Sequence, residues 1–206
     1  MQKFVVGDKM KIGVYGSAGG KMQKGLANKA RELGKAIARN GHVLVTGGCL
    51  GLPYEAVLGA HERKGGCIAF SPAVNLEEHV KKYSMPRKGF TDFVFVPEDY
   101  EHAEDKKTCL KYRNVSSVAA VDAAIIISGR IGTMNELTIA YDLGKRIGVL
   151  EDTGGITGEA IKVLLRDARK DTGALVMSHK DPETLVEIIT EEKRLRMYRH
   201  VICTSC

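Results

Sequence analysis

Short apolar runs alternate with amphipathic segments along the first half of the chain. Residues 11–15, 43–45 and 67–70 are apolar and short, which is typical of buried strands. The segments between them carry apolar residues at helical spacing. Because parallel neighbours need crossover connections, this alternation predicts a doubly wound, mainly parallel Rossmann-like α/β sheet of six to seven strands, with helices on both faces.

The second half of the chain continues the same alternation. No internal repeat or linker divides it, so we predict a single domain over residues 1–206 with a basic tail from about residue 193. Residues 71–89 are predicted to form an irregular connection, and residues 99–107 a polar loop or lid. Further strands are predicted at 91–96, 123–127, 146–150 and 175–177, and helices at 156–169 and from 182 onwards.

A glycine turn follows the most apolar of these strands, residues 123–127. Gly129 and Gly132 allow the backbone to approach a ligand closely, and Thr133 is expected to cap the helix that follows. Free N–H groups and the positive end of the helix dipole favour an anion such as phosphate at this turn. Glu136 lies one turn inside the same helix, where its carboxylate is predicted to face the ligand.

Two further glycine turns follow the first and second strands. Gly16 and Ser17 end the first strand, and Gly47, Gly48 and Gly51 follow the second. Ligands in doubly wound sheets bind outside the carboxyl ends of the strands, so the three turns are predicted to meet at one crevice. The first turn lacks the spacing of the dinucleotide fingerprint, and no acidic residue ends the second strand. A mononucleotide therefore fits better than NAD.

The helix before strand 123–127 carries Arg113, in the pattern Leu-x-x-Arg. This pattern and the later Gly-x-x-Gly-Thr-x-x-Glu, which ends at Glu136, resemble the signature of the LONELY GUY family of nucleoside-monophosphate phosphoribohydrolases. The similarity extends over about residues 11–150. It implies cleavage of a nucleoside 5′-monophosphate to free base and ribose 5-phosphate, with Arg113 holding phosphate or ribose and Glu136 acting as the catalytic group. The predicted phosphate and nucleotide site comprises Gly16, Ser17, Gly47, Gly48, Gly51, Gly129, Arg130, Gly132 and Thr133.

Three positions depart from the family signature. Ser128 replaces its proline, Arg130 replaces its second glycine, and Asn114 replaces the lysine after the arginine. The chain therefore resembles a divergent member, and two functions stay open. One is hydrolysis; the other is non-catalytic binding, carriage or sensing of a nucleotide or an anionic cofactor, as in the algal carrier of the molybdenum cofactor. The alternative for Glu136 is a helix carboxylate that only complements the dipole. The resemblance also implies a homodimer that pairs through the helix bearing Arg113.

Charge and composition narrow the classes of ligand. The net charge is +6 and the calculated pI is near 9.0, which suits anionic ligands without identifying nucleic acid. Aromatic residues are only 6% of the chain and form no RNA-stacking motif, so a nucleic-acid partner is not expected. No apolar run reaches membrane-spanning length and no signal-peptide pattern opens the chain, so we expect a cytoplasmic protein without a membrane partner.

The five cysteines are scattered and odd in number, which argues against a disulfide framework. His200, Cys203 and Cys206 have the spacing of metal ligands, but a structural zinc site needs four ligands and no second pair lies nearby. We therefore predict no metal, and the role of Cys203 and Cys206 stays open. No lysine is marked for a pyridoxal Schiff base, and no cofactor is predicted.

Overall fold

A computed structural model describes residues 9–19, 25–168 and 170–191 of the chain. Its strands are β1 (Lys11–Gly16), β2 (Val43–Thr46), β3 (Cys67–Phe70), β4 (Asp92–Val94), β5 (Ala123–Ile127), β6 (Arg146–Leu150) and β7 (Leu175–His179). Its helices are α1 (Leu26–Arg39), α2 (Leu52–Glu62), α3 (Leu76–Lys81), α4 (Lys106–Ala119), α5 (Ile131–Asp142), α6 (Glu159–Asp167) and α7 (Pro182–Thr190). The predicted α/β class is confirmed.

All seven strands pair in parallel in the order β4-β3-β2-β1-β5-β6-β7. From β1 the chain moves outward to β4, returns across the sheet to β5, and then continues outward to β7. The strand order therefore reverses between β1 and β5, which pair from Ile12 with Ala123 to Gly16 with Ile127. Such a reversal opens a crevice between the loops that leave the two strands, and ligands of doubly wound sheets bind there.

The central strand β5 divides the core into two layers. Ala123, Ile125 and Ile127 point to a cluster formed with α1, α2 and α7. Ala124 and Ile126 point to the opposite cluster, formed with α4, α5 and α6. All five side chains are fully buried, as expected for a parallel strand covered by helices on both faces. This double burial fixes the position of the turn that follows β5.

The structure corrects several predicted boundaries. Residues 71–89 are not wholly irregular, because they contain α3, where the Asn75 side chain accepts a hydrogen bond from the Glu78 N–H. The strand predicted at 91–96 is only β4, and the edge strand predicted at 175–177 extends to His179. The helix predicted at 156–169 is instead a 3-10 turn at Gly155–Thr157 followed by α6. The basic tail, His200, Cys203 and Cys206 lie outside the described residues.

Candidate functional site

A cavity of about 310 Å³ lies at the carboxyl ends of β1 and β5, where the strand order reverses. All three glycine turns contribute to its wall, so the predicted convergence on one crevice is confirmed. Its volume is at the lower end of the range of small-molecule sites. The predicted residues on the wall are Gly16, Ser17, Gly47, Arg113, Arg130, Gly132, Thr133 and Glu136.

The other three predicted glycines stand behind the wall. Gly51 packs so closely on the first turn that an added Cβ would lie 2.2 Å from the Ser17 carbonyl oxygen. Gly129 has a φ of +98°, and an added Cβ would lie 2.5 Å from Thr133. Gly48 has a φ of +71°, and its N–H donates to Thr46 Oγ1 at 3.0 Å. These glycines shape the turns and do not line the cavity, and their predicted ligand contacts stay predictions.

The turn between β5 and α5 is held by groups distant in sequence. The Gly129 N–H donates to Ser17 Oγ at 3.1 Å, and the Ser128 N–H donates to Thr153 Oγ1 at 2.8 Å. On the other side, the Gly129 carbonyl accepts the N–H of Ile156 at 3.1 Å. Ser128 itself has a φ of +56°, a conformation that non-glycine residues seldom adopt. Groups from the β1 turn and from the segment after β6 thus hold this strained turn in place. The residues that follow it, Arg130 to Gly132, line the cavity.

The predicted cap of α5 is wrong. The helix begins at Ile131 with Arg130 as its N-cap, and no side chain caps it. Thr133 is already the third helical residue and is buried against Gly129. Helical geometry leaves the first N–H groups without intrahelical carbonyls, so this end offers donors to the cavity. An added Cβ at Gly132 would meet nothing within 4 Å, so the space beside that residue is open.

Arg113 forms the floor of the cavity as a buried cation. Only 8% of the residue is exposed, and its Nε has no hydrogen-bond partner. No described acidic side chain lies within ion-pair distance of its guanidinium. The first turn after β2 accommodates it, because a Cβ added to Gly47 would lie 1.2 Å from Arg113 Nη1. Burying a charge without a partner is costly, so the arrangement indicates a place for an external anion.

Glu136 lines the same cavity with a carboxyl group that is almost completely buried. Only 7% of the residue is exposed, and burial raises the pKa of Glu136 from 4.5 to about 7. The nearby charges of Arg113 and Lys111 act in the opposite direction on this pKa. Among the described residues, no side chain or backbone group forms a hydrogen bond or ion pair with the carboxyl. It is therefore available to a ligand as an acid or as a base near neutral pH.

Sequence reasoning missed ten other residues on the wall, and three of them have polar or charged side chains of chemical interest. Cys49 and Lys111 line the cavity, and so does Asn114, whose Nδ2 donates to Asn135 Oδ1 at 2.9 Å. Asn114 appeared in the sequence only as a lost cation. Its spacing of three from Lys111 places both residues on one helix face, and that spacing was the signal available for Lys111.

A second cavity of about 250 Å³ lies between α1 and α7 and contrasts with the first. Its charged groups are already paired, because Arg39 contacts Glu183 at 3.1 Å and Lys29 Nζ donates to the Glu151 carbonyl at 2.6 Å. The N-terminus of α7 is capped by Asp181, whose carboxylate accepts the Thr184 N–H at 2.9 Å. Nothing in this cavity calls for an added anion.

Two further absences hold for residues 9–19, 25–168 and 170–191. No cluster of three or more His, Cys, Asp or Glu side chains is arranged to hold a metal ion in that part of the chain. None of the described helices combines the length and apolar character needed to cross a bilayer.

Comparisons with known proteins agree with this architecture. The chain is 32% identical over 149 residues to an uncharacterised protein of Archaeoglobus fulgidus, which covers 72% of this chain and 85% of the relative. The solved structure of the protein TM1055 superposes with a TM-score of 0.70 at 24% identity, covering 87% of this chain and 98% of that one. The molybdenum cofactor carrier protein of Chlamydomonas reinhardtii superposes with a TM-score of 0.64 at 21% identity, covering 91% and 99%.

At these identities the two structural matches show the fold alone. The family assignment comes from the sequence, which matches one family over residues 9–186. This match confirms the resemblance to LONELY GUY-like proteins that the motifs around Arg113 and Glu136 indicated. The chain belongs to the SLOG cluster4 family.

Proposed function

We propose that the cavity binds a nucleoside 5′-monophosphate and that Glu136 promotes hydrolysis of its N-glycosidic bond, releasing free base and ribose 5-phosphate. One observation carries the proposal. A buried guanidinium with no acidic partner and an unsatisfied Nε lines the same cavity as an uncapped helix N-terminus and a buried carboxyl that forms no hydrogen bond within the described residues.

The phosphate is assigned to the α5 end of the cavity. The free N–H groups at Ile131 to Thr133 and the helix dipole favour an anion there. Arg113 adds a guanidinium that suits a phosphate with two or more oxygens to bond. Filling this position would give the buried Arg113 the anionic partner that the described residues do not supply.

The ribose then comes within reach of Glu136, one turn further along α5. In the reaction, a water oxygen forms a bond to C1′ while the bond from C1′ to the base nitrogen breaks. The water proton passes to the carboxylate, and the leaving base takes up a proton. Positive charge develops on the sugar in the transition state, and a carboxylate beside C1′ stabilises it. Because the pKa of Glu136 is about 7, both protonation states are populated near neutral pH.

The test is incubation of the purified protein with AMP and other nucleoside monophosphates, with chromatographic detection of free base and ribose 5-phosphate. We expect base release from at least one monophosphate and a loss of about 10²- to 10⁴-fold in Glu136→Gln, with binding retained. The matched control is Glu183→Gln in the second cavity, which should leave base release unchanged. Release that persists undiminished in Glu136→Gln would contradict the assigned role.

Carriage without turnover is the second candidate, and Arg130 favours it. Arg130 Nη2 donates to the Gly19 carbonyl at 3.0 Å, so a large cationic side chain joins the β1 turn to the α5 turn at the cavity. Added charge there favours tight retention of an anion. The relative from Chlamydomonas reinhardtii is named as a carrier of the molybdenum cofactor. Micromolar or tighter AMP or cofactor binding with no base release from any monophosphate, in wild type and Glu136→Gln alike, would select this function.

We also propose that two copies pair through α4, as the family resemblance implies. Val115 on α4 is 51% exposed, and Ile131 at the start of the neighbouring α5 is 84% exposed. A dimer that pairs through this face would cover both apolar side chains. Light scattering should give a dimer mass for the wild type and a lower mass for Val115→Asp. A monomer mass for the wild type would contradict the proposal.

A further inference from the structure

Helix α4 presents one cation at the cavity that no motif indicated. Lys111 lies on the cavity wall three residues before Asn114, so the two side chains share one face of the helix. Lys111 is exposed and forms no hydrogen bond or salt bridge with any residue in the described ranges. Its ammonium group is therefore available to a ligand.

Asn114 cannot act as this cation, because its amide is neutral. The NH2 group of that amide also bonds to α5. Its Nδ2 donates to Asn135 Oδ1 at 2.9 Å, and Asn135 directly precedes Glu136. The amide thus joins α4 to α5 beside the carboxyl and is only 4% exposed. Position 114 orients the helices, and the positive charge lies one turn earlier.

The charge of Lys111 acts on the interior of the cavity. Together with Arg113 it opposes the rise in the pKa of Glu136 that burial causes. The two cations differ in exposure, because Arg113 is buried against Gly47 whereas Lys111 is exposed on a flexible stem. A ligand that enters past Lys111 and reaches Arg113 lies between two positive charges.

We propose that Lys111 closes on the bound phosphate from the opening of the cavity, so that the site selects a dianionic phosphomonoester over a phosphodiester or an uncharged nucleoside. This inference rests on the anion site of the proposed function. It adds the ligand class and a specificity residue: Arg113 and the α5 N-terminus bind the inner oxygens, and Lys111 binds the outward one. A monoester carries two charges for these cations, whereas a diester carries one and covers the oxygen that faces Lys111.

The test compares Lys111→Gln with Lys107→Gln, a substitution of equal charge change one turn earlier on α4. In the described part of the chain, Lys107 does not reach the cavity. Calorimetry should show AMP and inorganic phosphate binding about tenfold more weakly to Lys111→Gln, with a shallower dependence on salt. Binding of adenosine and of methyl-AMP, a phosphodiester, should change less than twofold. Lys107→Gln should match the wild type, and equal behaviour of the two variants would overturn the proposal.

A second measurement needs no ligand. Carboxyl ¹³C NMR of the free protein should give a higher pKa for Glu136 in Lys111→Gln than in the wild type, and no change in Lys107→Gln. If the wild type binds neither AMP nor phosphate, the proposed function fails. The Lys111 proposal then fails with it, whereas AMP binding without base release defeats only the hydrolysis and leaves the comparison of Lys111→Gln with Lys107→Gln to decide the role of Lys111.

Discussion

The two cavities use helix N-termini in opposite ways. At α7 the helix end is capped by Asp181, and the surrounding charges of Arg39 and Glu183 are paired with each other. At α5 the end has no side-chain cap, Arg113 is buried with its Nε unpartnered, and the buried Glu136 forms no hydrogen bond or ion pair within the described residues. A side chain thus accepts a hydrogen bond from the first N–H groups of α7, whereas none does so at α5. The difference supports the proposal that an anionic ligand binds at the α5 end.

The largest effect expected from this contrast is on stability as a function of pH. The pKa of Glu136 is raised from 4.5 to about 7, so between these pH values the folded protein holds a proton that the unfolded chain has lost. The free energy of unfolding should fall as the pH rises through this window, by about 3 kcal/mol from Glu136 alone. Glu136→Gln should remove this loss and be the more stable protein above pH 7, as measured by denaturant unfolding.

The control for that measurement is Glu183→Gln, which should change the free energy of unfolding by less than about 0.5 kcal/mol at every pH. Asp181 gives a trend of opposite sign. Its hydrogen bonds to Thr184 lower its pKa, so its contribution is lost as the pH falls through the acidic range. A wild-type protein that gains stability between pH 5 and 7 relative to Glu136→Gln would contradict the burial of Glu136 as a free acid.

The next effect concerns Arg113→Met, which removes the unpaired cation and keeps much of its volume. We expect phosphate and AMP affinity to fall by about thirtyfold, since a hydrogen bond to a charged group contributes about 2 kcal/mol. The free energy of unfolding should stay the same or rise, because a buried charge without a partner is removed. Calorimetry and urea titration measure the two quantities. Arg39→Met, which breaks a surface pair, should affect neither by more than about 1 kcal/mol.

A smaller effect is expected from Asp181→Ala at the capped helix. Loss of the cap should lower the free energy of unfolding by about 1 kcal/mol, because the Thr184 N–H loses its acceptor. Phosphate affinity should not change, since the residue lies in the second cavity. A loss of phosphate binding in this variant would mean that the two helix ends are not independent.

The smallest effect is expected from supplying α5 with the cap that it lacks. Arg130→Ser places a hydroxyl at the N-cap, which should raise the free energy of unfolding by about 0.5 kcal/mol in the absence of ligand. Because that hydroxyl competes with the ligand for the same N–H groups, phosphate affinity should fall. Thermal melts with and without phosphate measure both. Tighter phosphate binding in Arg130→Ser would show that the helix end is not the anion site.

Much of the fold could be predicted because its signals are local. The apolar run of β5 and the glycines after β1 and β2 indicate buried strands followed by tight turns, and parallel pairing then brings those turns together. The start of α5 was placed wrongly because Thr133 is a good capping residue by type. Its side chain is occupied by packing on Gly129, which depends on the turn geometry and not on propensity.

The electrostatic state of the site was beyond sequence reasoning. Arg113 and Glu136 were identified by their spacing, but the burial of both and the unsatisfied Arg113 Nε depend on which side chains the sheet places around them. The sequence contains many lysines and does not distinguish Lys111 from Lys107. Only the fold shows that Lys111 lines the cavity and that Lys107 does not. The spacing of Arg113 and Glu136 therefore identified the motif, and the burial of both side chains in the folded protein identified the cavity that they line.

The hydrogen bond from the Gly129 N–H to Ser17 Oγ spans 112 positions of the chain. The ligand cradle therefore does not exist in either half of the sheet and is completed only when β1 and β5 have met. Ligand binding would therefore report that the two halves of the sheet have met. A protein cut in the turns between β4 and α4 should yield two fragments that bind no phosphate separately and regain binding on mixing. Phosphate binding would then measure how much of the two fragments has reassociated.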